Sequence, residues 1–124
     1  MTTELEWAYL AGLIDGDGHV RAKLMQAPDG RLRRDIVICI AQGNMHLEVI
    51  EWLCEHIDGG RVYSQGDNAT QWRVNKLRDF DLILSRILPY VVLKKPEVES
   101  ALIMVEGRRE FLRRRALGET FNGG

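Results

Sequence analysis

The segment Glu4 to Ile14, ELEWAYLAGLI, distributes apolar side chains around every side of a helix. A helix without a polar face has to be covered on more than one side, which restricts the folds open to the chain. Thr3-Glu4-Leu5-Glu6 predicts how it starts, as a capping box with Thr3 as N-cap and Glu6 reaching back. The helix is expected to run to about Ile14. One stripe differs from the rest: Ala8, Ala11 and Gly12, followed by Asp15, are small or short and recur at helical spacing. Such a stripe suits close approach of a second helix, and it also suits packing on the chain's own sheet.

A length of 124 residues allows one domain with a real core and leaves no room for two. With 45% apolar and 28% charged residues, the chain has the profile of a globular protein rather than a disordered tail. No apolar run approaches the roughly 20 residues of a membrane span, so no membrane partner is expected. MTTELEWAYL carries acids and no basic stretch, and neither a signal nor a transit peptide is predicted. Cys39 and Cys54 alone make no disulfide framework or zinc ribbon. A reducing compartment is expected: the cytoplasm or nucleoid of a bacterium or phage host, or an organelle matrix, and not secretion.

The formal net charge of −1 argues mildly against nucleic-acid binding, since such domains are usually basic as a whole. Its distribution argues the other way. Acids gather in segments of helical pattern (Glu48, Glu51, Glu55 and Asp58; Glu97, Glu99 and Glu106), whereas Arg21, Lys23, Arg31, Arg33, Arg34, Arg61 and Arg73 fall in predicted strands and turns. A nearly neutral protein can still carry one basic face.

Those strands come in two hairpins. His19 to Met25 alternates, with Val20, Ala22 and Leu24 facing one way; after the turn Ala27-Pro28-Asp29-Gly30, Arg33 to Ile40 alternates again, with Ile36, Ile38 and Ile40 inward and Arg33, Asp35, Val37 and Cys39 outward. Arg61 to Gln65 and Thr70 to Asn75 repeat the pattern around Gly66-Asp67-Asn68. The outward set is Arg21, Lys23, Arg33, Asp35, Arg61, Tyr63, Gln65, Gln71, Arg73 and Asn75. Arg suits guanine, Gln and Asn suit adenine, and Asp accepts from cytosine. Between the hairpins, Asn44 is expected to cap a helix from Met45 to Ile57. A helix from about Asp79 to Leu88 follows, and a last one begins with Pro96 at its first position and keeps Val98, Ala101, Leu102 and Val105 inward. The order is α-β-β-α-β-β-α-α, an α+β domain of two similar halves. The run Arg108 to Arg115 holds five arginines, and fraying is expected from Gly118 onward.

The first helix ends in Asp15-Gly16-Asp17-Gly18. A calcium loop counted from Asp15 would need glycine at its sixth position and glutamate at its twelfth, where Val20 and Gln26 stand. A glycine stop explains Gly16 or Gly18 but not two acids at a helix C-terminus, where the macrodipole opposes them. A divalent cation nearby resolves that opposition.

Leu10-Ala11-Gly12-Leu13-Ile14-Asp15-Gly16-Asp17-Gly18 resembles the signature of the LAGLIDADG homing endonucleases at every position but Gly16. The element order resembles the family core, and Pro89-Tyr90…Leu93-Lys94-Lys95 is similar to its basic segment before the last helix; the likeness covers roughly residues 4 to 107. The resemblance implies a single endonuclease domain over residues 1–124, with a core at about 4–107 and an arginine-rich tail at 108–124. It implies a homodimer joined through this helix at Ala8, Ala11, Gly12 and Asp15, and a curved four-stranded antiparallel sheet laid in the major groove of double-stranded DNA.

By the same resemblance, Asp17 and the Gly16 carbonyl hold Mg²⁺, for which Mn²⁺ or Ca²⁺ substitutes in binding. Asp17, Gln42 and Lys94 are the implied catalytic set: Gln42 orders the attacking water and Lys94 supports the water network and the developing phosphate charge. The implied reaction is hydrolysis of one phosphodiester per strand in a long quasi-palindromic site. His46 stands where the family often has arginine, a departure that leaves its role open. Two other readings of the same fold stay open, an RNA maturase acting on intron RNA and a DNA-binding regulator without cleavage.

Overall fold

A computed structural model describes residues 1–118; the fraying expected at the chain's end lies almost wholly outside them. The element order is α1 (Glu4–Asp17), β1 (Gly18–Gln26), β2 (Leu32–Gly43), α2 (Glu48–His56), β3 (Arg61–Gln65), β4 (Ala69–Val74), α3 (Leu77–Ile87) and α4 (Lys95–Ala116). The predicted α-β-β-α-β-β-α-α order stands.

The capping box forms as predicted: Glu6 N donates to Thr3 Oγ1 at 3.2 Å and Thr3 N to Glu6 Oε1 at 2.8 Å. The helix runs three residues beyond Ile14, because the Gly18 N–H still reaches back to the carbonyls of Leu13 and Ile14. Both aspartates therefore belong to its last turn. The start of α1 is tied to the end of α2 through Thr2, whose hydroxyl donates to the His56 carbonyl at 2.8 Å and accepts from Asp58 N at 3.0 Å.

The strands form one antiparallel sheet in the order β1-β2-β4-β3. The first turn closes where expected, with Gly30 N donating to Ala27 O at 2.9 Å and Gly30 at φ +83°. All four helices pack on one face of the sheet. There Val20, Ile38, Ile40, Trp72 and Val74 meet Leu10 and Ile14 of α1, Ile83, Leu84 and Ile87 of α3, and Val98, Ala101 and Val105 of α4. Gly60 permits one close approach: at φ +84°, any β-carbon there would lie 2.4 Å from the Trp72 indole. The opposite face has no helix over it.

Several local expectations need correction. Asn44 does not cap α2, which starts at Glu48 with Leu47 at the cap position and no side-chain cap bond. Its amide is taken by the β3–β4 turn instead: Thr70 Oγ1 donates to Asn44 Oδ1 at 2.8 Å and Asn44 Nδ2 donates to Asp67 O at 3.3 Å. Strand β2 extends to Gly43, so Gln42 lies within it, opposite Thr70, rather than after it. Asn75 falls one residue past β4, and Pro96 is the second residue of α4, not the first. Val37 shares the helix-free face yet is buried, flanked by Arg21 directly across the ladder and Asp35 two residues earlier.

Candidate catalytic and nucleic-acid-binding site

The last turn of α1 organises the polar chemistry of the domain. Gln42, on the helix-covered side of β2, donates from Nε2 to Asp17 Oδ2 at 2.8 Å. Asp15, on the same turn, serves a different segment: its carboxylate accepts Val92 N at 2.7 Å and Lys94 N at 3.0 Å. Burial pushes the Asp15 carboxyl up, but the N–H groups of Val92, Lys94 and Leu93, with the Lys94 charge, outweigh it and hold the group below its ordinary value. Asp17 and Gln42 are thus in direct contact, and the Lys94 backbone is pinned to the same helix end. Lys94 is also the N-cap residue of α4, so α4 starts from this site.

Asp17 and Gly16 are exposed, and nothing lies within 4 Å of a β-carbon placed on Gly16. The last carbonyls of a helix lack intrahelical partners, so Gly16 O and the Asp17 carboxylate are two hard oxygens at its negative end. Among the described residues no three His, Cys, Asp or Glu side chains cluster into a complete metal cage. The donor chemistry of these two oxygens fits a hard cation, which needs further oxygen ligands than this turn supplies.

Beside these aspartates α1 exposes one face. Leu5 is 84% and Tyr9 51% accessible, Ala8 is half-buried, and a β-carbon on Gly12 would meet nothing within 4 Å. Ala11 departs from the expected stripe: it is wholly buried in the chain's own core, because the helix turns it toward the sheet with Trp7, Leu10 and Ile14. Ala8, Gly12 and the half-buried Asp15 remain accessible to a partner. Val92 and Leu93, also exposed, lie on the segment that Asp15 holds.

The helix-free face of the sheet carries the expected outward set in register. Arg21 and Lys23 of β1 lie beside Arg33 and Asp35 of β2; Arg73 and Gln71 of β4 lie opposite Cys39 and Ala41; Arg61, Tyr63 and Gln65 of β3 complete the edge. Arg61 is directly across from Arg73, a like-charge pair that destabilises a sheet unless an anion compensates it. Two pairs are internally occupied. Arg21 Nη2 lies 2.7 Å from Asp35 Oδ2, outside hydrogen-bonding angles, and Arg21 Nε is buried without a hydrogen-bond partner among the described residues. Asn75 donates to the Tyr63 hydroxyl. Asp35 is therefore already engaged by Arg21 through Oδ2.

Alternation also places His19, Cys39 and Ala41 on this face, although only the polar strand residues read as base contacts from sequence. Burial pushes the Cys39 thiol up despite Arg73 and Arg21 beside it, so it acts as a small neutral side chain. His46 sits in the turn after β2, its N–H donating to Gly43 O at 2.9 Å, and is exposed.

No family model matches the chain. The DNA endonuclease I-CvuI of Chlorella vulgaris is 22% identical over 105 residues, covering 83% of this chain and 65% of that protein. The chain thus spans a little under two thirds of the relative's length. Among solved structures, I-CvuI in complex with its target in the presence of 2 mM Ca superposes with a TM-score of 0.74 at 21% identity, over 83% of this chain and 67% of that one. The archaeal intron-encoded homing endonuclease I-Vdi141I complexed with DNA gives 0.70 at 22% identity, over 86% and 70%. The LAGLIDADG meganuclease I-AabMI bound to uncleaved DNA gives 0.68 at 17% identity, over 85% of this chain and 38% of that one.

The chain has the LAGLIDADG homing-endonuclease fold. Its α1 carries the run Leu10 to Gly18 that resembles the family's signature, with Asp15 and Asp17 as the two acids of that run.

Proposed function

We propose that the chain is a homodimeric, divalent-metal-dependent, site-specific DNA endonuclease. The observation that carries this reading is the convergence at the end of α1, where Asp17 is held by Gln42 and the same helix turn fixes the backbone of Lys94. DNA endonuclease I-CvuI, solved with its target in the presence of Ca and with a second target, not cleaved, in the presence of Mg, supplies the precedent for a DNA target and divalent ions.

Two copies joined through the open face of α1 bring two Asp17 carboxylates together across the twofold axis. Asp17 and the Gly16 carbonyl of each copy would hold the metal, Mg²⁺ in this reading. When bound, the metal supplies Lewis-acid stabilisation and a more acidic water. Gln42 fixes the carboxylate through its amide and offers its carbonyl oxygen to a water beside it. Lys94 brings positive charge toward the phosphate that gains charge during hydrolysis. The two sheets lie along the major groove, and the outward side chains read a long quasi-palindromic site.

A randomised duplex library incubated with Mg²⁺ or with EDTA tests this. Metal-dependent double-strand cuts confined to a quasi-palindromic subset are the expected result. Enrichment of bound sequences without cuts would replace it with a regulator, and neither cutting nor binding would remove DNA as the substrate.

A further inference from the structure

Four arginines line one cleft beside the sheet: Arg33 and Arg34 near the start of β2, Arg73 of β4 and Arg108 of α4. The cleft exists because β4 ends at Val74 and the chain turns away into α3, leaving the first residues of β2 paired only with β1. It encloses about 490 Å³ and is also lined by Asn75 and Asp35.

Several arginines elsewhere are paired within the chain, as Arg21 is with Asp35, Arg86 with Glu4 and Arg109 with Asp81. None of the cleft's four makes an ion pair among the described residues, and its one carboxylate is already engaged by Arg21. Arg34 passes α4 at Gly107, where an added β-carbon would sit 3.7 Å from its Nη2. The Arg108 guanidinium lies 5.5 Å from the Phe111 ring centroid, a cation–π contact that orients it without cancelling its charge. Uncompensated guanidinium groups on three elements repel one another, and an anion reverses the sign of that interaction. Their planar donor forks match phosphate oxygens in pairs.

We propose that this cleft is a phosphate site in which Arg34 and Arg108 take a backbone phosphodiester of the bound duplex, at the border of the base-reading contacts. The DNA occupant rests on the nuclease reading above; the phosphate chemistry does not. Arg33 and Arg73 belong to the base-reading face, whereas Arg34 lies on the opposite side of the sheet and Arg108 on a helix. The cleft therefore joins the reading face to α4, where the edge of a groove presents backbone rather than bases. Arg34 and Arg108 contribute affinity and salt dependence but no base preference.

The test uses the full chain and the double variant Arg34→Gln/Arg108→Gln, whose altered side chains are both exposed and so leave the core untouched. Inorganic tripolyphosphate should raise the melting temperature of the wild type and leave that of the variant nearly unchanged. Equal stabilisation of both overturns the site. On a selected duplex, the slope of log affinity against log salt should flatten by about 1–2 in the variant, with base preference unchanged. Lost tripolyphosphate stabilisation with an unaltered DNA slope overturns the DNA occupant and leaves a free-phosphate site. A changed base preference overturns the assignment to backbone. A wild type that responds to tripolyphosphate but binds no duplex contradicts the nuclease reading while upholding the phosphate chemistry.

Discussion

Gln42 donates a 2.8 Å hydrogen bond to the Asp17 carboxylate, linking the central strand to the end of the LAGLIDADG helix. Groups that orient a metal-ligating carboxylate typically change metal affinity or activity by about 10–100-fold when removed. Gln42→Ala should therefore slow metal-dependent cleavage by about that factor while DNA affinity stays near wild type. A single-turnover rate on prebound duplex measures it.

Asp15 holds the backbone of the segment that leads into α4. Asp15→Asn keeps one carbonyl oxygen but loses the charge that holds the N–H groups of Val92 and Lys94, at about 1–2 kcal/mol. The sign with pH follows from its lowered folded-state value. The carboxylate stabilises the fold fully above the unfolded range near pH 4, and that contribution disappears as pH falls through the folded-state value. Denaturant titrations at several pH values should show a gap between wild type and variant at neutrality that closes in acid.

Two glycines should respond oppositely to alanine. Gly12 faces open space on α1, so Gly12→Ala should stabilise the isolated fold by up to about 1 kcal/mol through helix propensity. In the proposed dimer it should also weaken self-association, because the β-carbon would enter the helix–helix contact. Gly60→Ala meets the Trp72 indole and an unfavourable φ, and should cost roughly 3 kcal/mol. Thermal melts at low concentration and sedimentation at high concentration separate these effects.

How much was legible in the sequence depended on how local each determinant is. The Thr3–Glu6 box and the two-residue alternation of the strands are local, and both survive in the structure. Asn44 looked like a cap by the same local logic, but a contact with Thr70, 26 residues away, claims its amide. Ala11 was misplaced because a helix apolar on all sides carries no pattern to say which small residue faces outward. The Arg21–Asp35 pair is a diagonal across β1 and β2, visible only once the register is known. The arginine cleft lay further out of reach, since it joins Arg34 to Arg108 through the packing of α4.

Arg73 sits among β2 and β3 neighbours on the reading face with no carboxylate partner among the described residues. Arg73→Ala should relax discrimination at one symmetric pair of base positions by about 1–3 kcal/mol if the contact is bidentate. Binding selections with wild type and variant locate the positions; unchanged preference everywhere would remove Arg73 from the reading set.

The most direct test of the account is the Mg²⁺-dependent cleavage rate of a selected duplex by wild type and by Asp17→Asn, with the affinity of each measured in EDTA. Loss of a metal-ligating, charge-bearing carboxylate should lower the rate by roughly 10³-fold or more. Affinity in EDTA should change little, since the reading face is untouched. Cleavage by Asp17→Asn at a rate close to wild type would contradict the placement of the catalytic centre at the end of α1.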